Sequence, residues 1–326
     1  MKTDATKIAI VGAGRVGSTL AYTLACSGVV REIVLIDADR ERAEGEAMDI
    51  AHAATFNAPV TVTAGSLAEA AGAAITVIAA GSAQREGESR PALLQRNISV
   101  LRGIVAEVMR TNPNGLMLIA TNPVDTLTFA ALRLSGLPSS RVFGSGTVLD
   151  TARLRAELSA HYDIDARNVH AYVLGEHGDS EVVAWSAASL ANVPLTDFCR
   201  LAGVVCTDED MAAIGMRVRD AAYEIIRRKG ATNFAIAAAL TRIIEAVVRD
   251  EASVLTVSTL LDGHYGIHGV CLSLPAIIDR SGIRRVLPVP LSNGEVARLL
   301  DSASALRAVL DSVTITGSES STEALD

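Results

Sequence analysis

Along the first half of the chain, short runs rich in Val, Ile and Leu alternate with longer stretches in which apolar positions return every three or four residues. The runs at 7–11, 32–36, 60–63, 75–80, 116–120 and 142–143 are short and nearly unbroken in apolar content. That pattern predicts strands covered on both faces, with the helical stretches serving as crossovers between them. The expected fold is α/β, a Rossmann-type parallel sheet over residues 1–149. Past about Asp150 the pattern changes to a helix from Thr151, a strand near 169–174, and helices around 208–229 and 233–249. This predicts a second, mixed α+β domain over 150–315. Residues 316–326 are mainly Ser, Thr and Glu with little to bury, so a disordered tail is expected there.

Composition narrows the class without naming a chemistry. With 49% hydrophobic and 20% charged residues in 326, the chain resembles an ordinary soluble globular protein. A formal net charge of -8 opposes nucleic acid and anionic membranes, so neither is an expected partner. The run Arg227, Arg228, Lys229 falls at a predicted helix end, where cations complement the helix dipole. Cys26, Cys199, Cys206 and Cys271 show no metal-ligand or C-x-x-C spacing, and are expected to be small core residues in a reducing compartment, with no metal bound. Lys2 and Lys7 precede an apolar stretch ending at Cys26, but Arg15 and glycines interrupt it, so a leader is not expected. No uninterrupted apolar run reaches transmembrane length, and a cytoplasmic location is the expectation.

Gly12, Gly14 and Gly17 form a G-x-G-x-x-G between a predicted strand and a predicted helix, with Val16 inside the same loop. In that context the glycines permit a tight turn, close approach of a pyrophosphate and helix packing on the strand. Asp37 follows 20 residues after Gly17 at the end of the second strand, where a carboxylate accepts hydrogen bonds from ribose hydroxyls and repels a 2'-phosphate. NAD is the expected cofactor, with Arg40 and Arg42 nearby as the counter-signal.

Four further segments carry candidate chemistry: AAGSAQREGESRPALLQRN from Ala79, ATNPVD, GSGTVLDTARLR and VHAYVLGEHGDS. Reversible reduction of a carbonyl by a nicotinamide cofactor needs a proton donor and a dry pocket, and an anionic substrate needs a cation. His177 can titrate near neutrality, and Asp150 and Arg153 lie three apart at a predicted helix start, on one face. Together with YGIHGVCLSLPAII, these segments resemble the lactate and malate dehydrogenase family over nearly the whole chain, its lactate branch most closely. The resemblance implies that His177 exchanges the proton, Asp150 orients it, Arg153 grips the substrate carboxylate, and Arg90 polarises the carbonyl from a closing lid. It places Asn122 near the nicotinamide and the reacting oxygen.

Within that family the resemblance assigns substrate choice to a lid position held here by Gln84. A neutral side chain there favours pyruvate, since enclosing the second carboxylate of oxaloacetate without a cation is costly. Thr232 likewise matches the lactate branch. Arg85 adjoins Gln84, and a one-residue shift would bring a cation inward, so malate chemistry is the alternative. A non-catalytic NAD-binding sensor, the reading from another class, would have no need of His177, Asp150, Arg153 and Arg90 together. Arg155 and His170 match positions that bind fructose 1,6-bisphosphate across a subunit interface in activated bacterial relatives. Such activation and a homotetramer are therefore expected.

Overall fold

The computed structural model describes residues 6–82, 87 and 89–315. Gln84, Arg85 and the expected tail at 316–326 lie outside the described residues, as does the side chain of Arg90.

Strand β1 (Lys7–Val11) alternates its side chains between two hydrophobic layers, Ile8 and Ile10 facing one and Ala9 and Val11 the other. This is the direct consequence of a two-residue period in a strand with no solvent face. It pairs in parallel with β2 (Glu32–Ile36) and β4 (Ile75–Ile78). Parallel pairing continues outward to β3 (Thr61–Gly65) on one side, and to β5 (Leu116–Ile119) and β6 (Val142–Gly144) on the other. Helices α1 (Arg15–Ser27) and α2 (Arg40–Ala54) cover the first face through Leu20, Leu24, Ala47 and Ile50. Helices α3 (Arg90–Thr111) and α4 (Val124–Ser135) cover the second through Ile98, Val105, Leu127 and Ala130. The strand order reverses between β1 and β4, which opens a crevice at the carboxyl ends of the strands.

The second half begins with α5 (Val148–Tyr162), three residues earlier than Thr151. The predicted strand near 169–174 is two short strands in different sheets, β7 (Val169–His170) and β8 (Val173–Leu174). They pair with β10 (Ser189–Leu190) and β9 (Val182–Val183) respectively, and β11 (Val193–Pro194) completes the first of these sheets. Helices α6 (Leu195–Ala202), α7 (Asp208–Lys229) and α8 (Phe234–Val248) follow. The last turn of α7 carries the Arg227–Lys229 cations, with Arg227 and Arg228 paired to Glu224. Strands β12 (Ser253–Asp262), β13 (His268–Asp279) and β14 (Gly282–Val286) then extend the parallel sheet antiparallel from β6, giving a nine-stranded sheet shared by both halves. Helix α9 (Asn293–Asp311), started by a Ser292 and Glu295 capping box, packs beside β13.

The cysteines depart from expectation. Cys199 and Cys271 are buried, but Cys26 is exposed in the last turn of α1 and Cys206 is half-buried. The reason at Cys26 is helical phase: Leu20, Ala21, Leu24 and Ala25 take the core-facing stripe and leave residue 26 outside it. Among the described residues no helix is long and apolar enough to cross a membrane, and no His, Cys, Asp or Glu group is placed to hold a metal ion.

Candidate active site

The glycine loop meets its geometric requirements one residue at a time. Gly12 sits at φ 108, and a Cβ there would lie 2.6 Å from the backbone nitrogen of Ala80. A Cβ on Gly17 would fall 1.8 Å from the Gly12 carbonyl oxygen, so helix α1 can press against the loop only through a glycine. Gly14 is different, with open space where its Cβ would be. Gly14 is also the N-cap of α1 and supplies no side-chain cap, which leaves the first helical amides available to an anion. Val16 is half-buried in the first turn. Asp37 accepts the Ala13 N–H at 2.7 Å and the Asp39 N–H at 2.9 Å, which fixes its carboxylate beside the loop. An open glycine cradle, uncapped amides and a fixed carboxylate fit a dinucleotide with free ribose hydroxyls.

The second cluster joins helix α5 to the segment after β8. Asp150, in the first turn of α5, is 1% exposed. Its Oδ2 lies 2.6 Å from His177 Nδ1 and its Oδ1 accepts from Arg153 Nη1 at 2.9 Å. One buried carboxylate therefore holds both an imidazole and a guanidinium. Burial acts against charging His177, but the hydrogen bond and charge of Asp150 outweigh it and raise the histidine above its ordinary pKa. With Nδ1 directed at Asp150, Nε2 is the nitrogen left for chemistry.

Two acids that the sequence reading did not single out complete the surroundings. Asp125, at the start of α4, accepts the backbone N–H of His177 at 2.8 Å and the hydroxyl of Ser258 on β12 at 2.5 Å. Burial pushes its pKa up to about 6. Burial, followed by the charge of Asp150, pushes Glu181 up to about 8, and its Oε1 has no partner among the described residues. Asp125 was visible as the last residue of ATNPVD, but an acid in the first turn of a helix ordinarily reads as a dipole partner. Glu181 directly follows GEHGDS and offered no spacing signal.

A cavity of about 480 Å³ opens on His177 and is lined by Asn122, Thr126, Leu94 and Tyr223 among others. The structure thus joins His177, Asp150 and Arg153 directly and sets Asn122 on the same cavity. Thr232 lies half-buried in the turn between α7 and α8. Arg90 begins α3, next to Pro91 on the cavity wall. Arg155 is held by the Ala171 carbonyl at 3.3 Å, with its guanidinium 5.8 Å from the Tyr172 ring centre. His170 is exposed on β7.

A doubly wound sheet with a dinucleotide cradle at its switch point, together with a histidine paired to a buried aspartate, marks the class of NAD-dependent dehydrogenases. Comparison with known proteins makes this specific. Residues 6–144 match the NAD binding domain of lactate/malate dehydrogenase and residues 147–316 its alpha/beta C-terminal domain, and the chain belongs to that family. An L-lactate dehydrogenase of Thermoanaerobacter sp. (strain X514) is 48% identical over 309 residues, spanning 95% of this chain and 99% of that protein. L-lactate dehydrogenase 1 of Clostridium acetobutylicum is 46% identical over 308 residues, spanning 94% and 98%. The crystal structure of the minor L-lactate dehydrogenase from Enterococcus mundtii in its ligands-bound form superposes with a TM-score of 0.93 at 40% identity, covering 96% of this chain and 99% of that one.

Proposed function

We infer that the chain is an L-lactate dehydrogenase, interconverting pyruvate and L-lactate with NAD. The observation that carries the chemistry is Asp150 bridging His177 and Arg153. Bound nicotinamide supplies or accepts the hydride. His177 gives its proton to the carbonyl oxygen during reduction and removes it during oxidation. Asp150 keeps the imidazole oriented and stabilises its charged form. Arg153 commits one nitrogen to Asp150, and the rest of its fork receives the substrate carboxylate. The cofactor is held by Gly12, Gly14, Val16, Gly17 and Asp37, with Asn122 at the nicotinamide end. From the family resemblance we assign polarisation of the carbonyl to Arg90 and the selection of pyruvate to Gln84 and Thr232. NADH consumption measured with pyruvate and oxaloacetate in parallel tests this reading. Pyruvate should be reduced far faster, and preference for oxaloacetate would return the chain to the malate branch.

We further propose that the two halves meet near residue 150, that the enzyme is a cytoplasmic homotetramer serving fermentative glycolysis, and that fructose 1,6-bisphosphate activates it through Arg155 and His170. Support for the last lies in the pinning of Arg155 against Ala171 and Tyr172, directly after His170 in sequence. Activation predicts a lower half-saturating pyruvate concentration with the bisphosphate present; superimposable curves would remove it.

A further inference from the structure

Two of the four cysteines surround a single phenol at the junction of α6 and α7. Tyr162, the last residue of α5, donates its O–H to Cys206 Sγ at 3.1 Å and accepts the S–H of Cys199 at 3.5 Å. Both sulfurs therefore lie within hydrogen-bond reach of the same oxygen. The phenol cannot easily swing away, because Phe198 meets its ring edge-on at 5.9 Å between centroids and His161 at 4.6 Å.

The arrangement is asymmetric in the way that disulfide chemistry requires. Cys199 is 4% exposed, and burial pushes its thiol up. Cys206 is half-buried in the loop before α7, so it is the sulfur more open to an external disulfide, and it accepts the Tyr162 O–H. The intervening chain leaves α6 through Gly203 at φ 66 and has no regular structure until α7 begins at Asp208, so it has few backbone bonds to lose if the sulfurs approach.

We propose that Cys206 and Cys199 form a reversible redox pair, with Cys206 attacking a small-molecule disulfide of the glutathione class and Cys199 resolving the adduct. In the first step the Cys206 thiolate attacks one sulfur of the external disulfide. The S–S bond breaks, and one small thiol leaves after taking a proton from water. In the second step Cys199 gives its proton to the Tyr162 oxygen, whose own proton passes to the departing thiolate. The Cys199 sulfur then attacks Cys206 and releases the second small thiol. Two protein thiols lose two electrons in total, and the external disulfide is reduced to two thiols. The new bond ties the end of α6 to the entry of α7, the helix whose Tyr223 lines the active-site cavity.

The test uses the full chain carrying Cys26→Ser, which removes the exposed thiol, incubated with oxidised glutathione and analysed by intact mass and non-reducing peptide mapping. The expected product is a monomeric chain lighter by two hydrogens, with its 199 and 206 peptides joined and released by dithiothreitol. Adding Cys199→Ser should instead trap one glutathione on Cys206, and adding Tyr162→Phe should slow closure while circular dichroism stays native. Free thiols persisting at both positions, a stable glutathione adduct on Cys206 with Cys199 present, or a bridge between chains would each overturn the proposal.

Discussion

At the scale of single residues, one buried carboxylate carries two loads, holding both His177 and Arg153. Asp150→Asn keeps the shape but removes the charge that raises His177. The proposed reduction needs the protonated imidazole, so its rate should fall as pH rises through the His177 pKa, and a raised pKa should move that fall to higher pH. In the variant the fall should come at lower pH, with kcat/KM down about 10² to 10⁴-fold, as read from the pH profile of NADH oxidation. Glu181 gives a stability prediction of definite sign. Its pKa is raised from 4.5 to about 8. The stability it contributes as a neutral acid is therefore complete below pH 4.5 and is lost as pH rises through about 8. Urea midpoints at pH 6 and pH 9 should differ less in Glu181→Gln than in the parent; an unchanged difference would mean that Glu181 is charged when folded. His177, Asp150 and Arg153 were legible in sequence because their spacing matches a family whose chemistry dictates it. Asp125 and Glu181 were not, because what makes them unusual is burial contributed by segments far away in the chain, such as β12 with its Ser258.

At the scale of elements, the glycine loop separates folding from binding. Gly17→Ala places a methyl group against the Gly12 carbonyl oxygen, a backbone atom that cannot step aside. Overpacking of this kind costs about 1–3 kcal/mol, so the melting temperature should fall by several degrees. Gly14→Ala meets no neighbour. Its melting temperature should stay level while the KM for NADH rises, because the methyl group occupies space meant for the pyrophosphate. Differential scanning fluorimetry and NADH titration of both variants separate the two effects, and equal behaviour would count against a cofactor cradle at Gly14. Strands β1, β2, β4, β5 and β6 were readable because continuous apolar runs framed by helices have few alternatives. The strands β12 to β14 went unread because β13 is buried along most of its length and lacks the alternation that marks an antiparallel strand. The break between β7 and β8 was likewise invisible, since Ala171 and Tyr172 interrupt pairing without a glycine or proline to signal it.

At the scale of the molecule, the cluster around His177 draws on segments far apart in the chain. Helix α4 of the first half holds the His177 backbone through Asp125, and β12 of the second half holds Asp125 through Ser258. The sheet that begins as a dinucleotide fold thus ends as the support for the His177 segment. The proposed function depends on His177 transferring a proton while the proposed cofactor cradle stands independently of it. Single-turnover oxidation of bound NADH by saturating pyruvate, compared between the parent and His177→Asn at pH 7, measures that directly. The expected result is a rate lower by about 10² to 10⁴-fold with NADH affinity unchanged; a variant that turned over within a few-fold of the parent would show that the proton comes from another group.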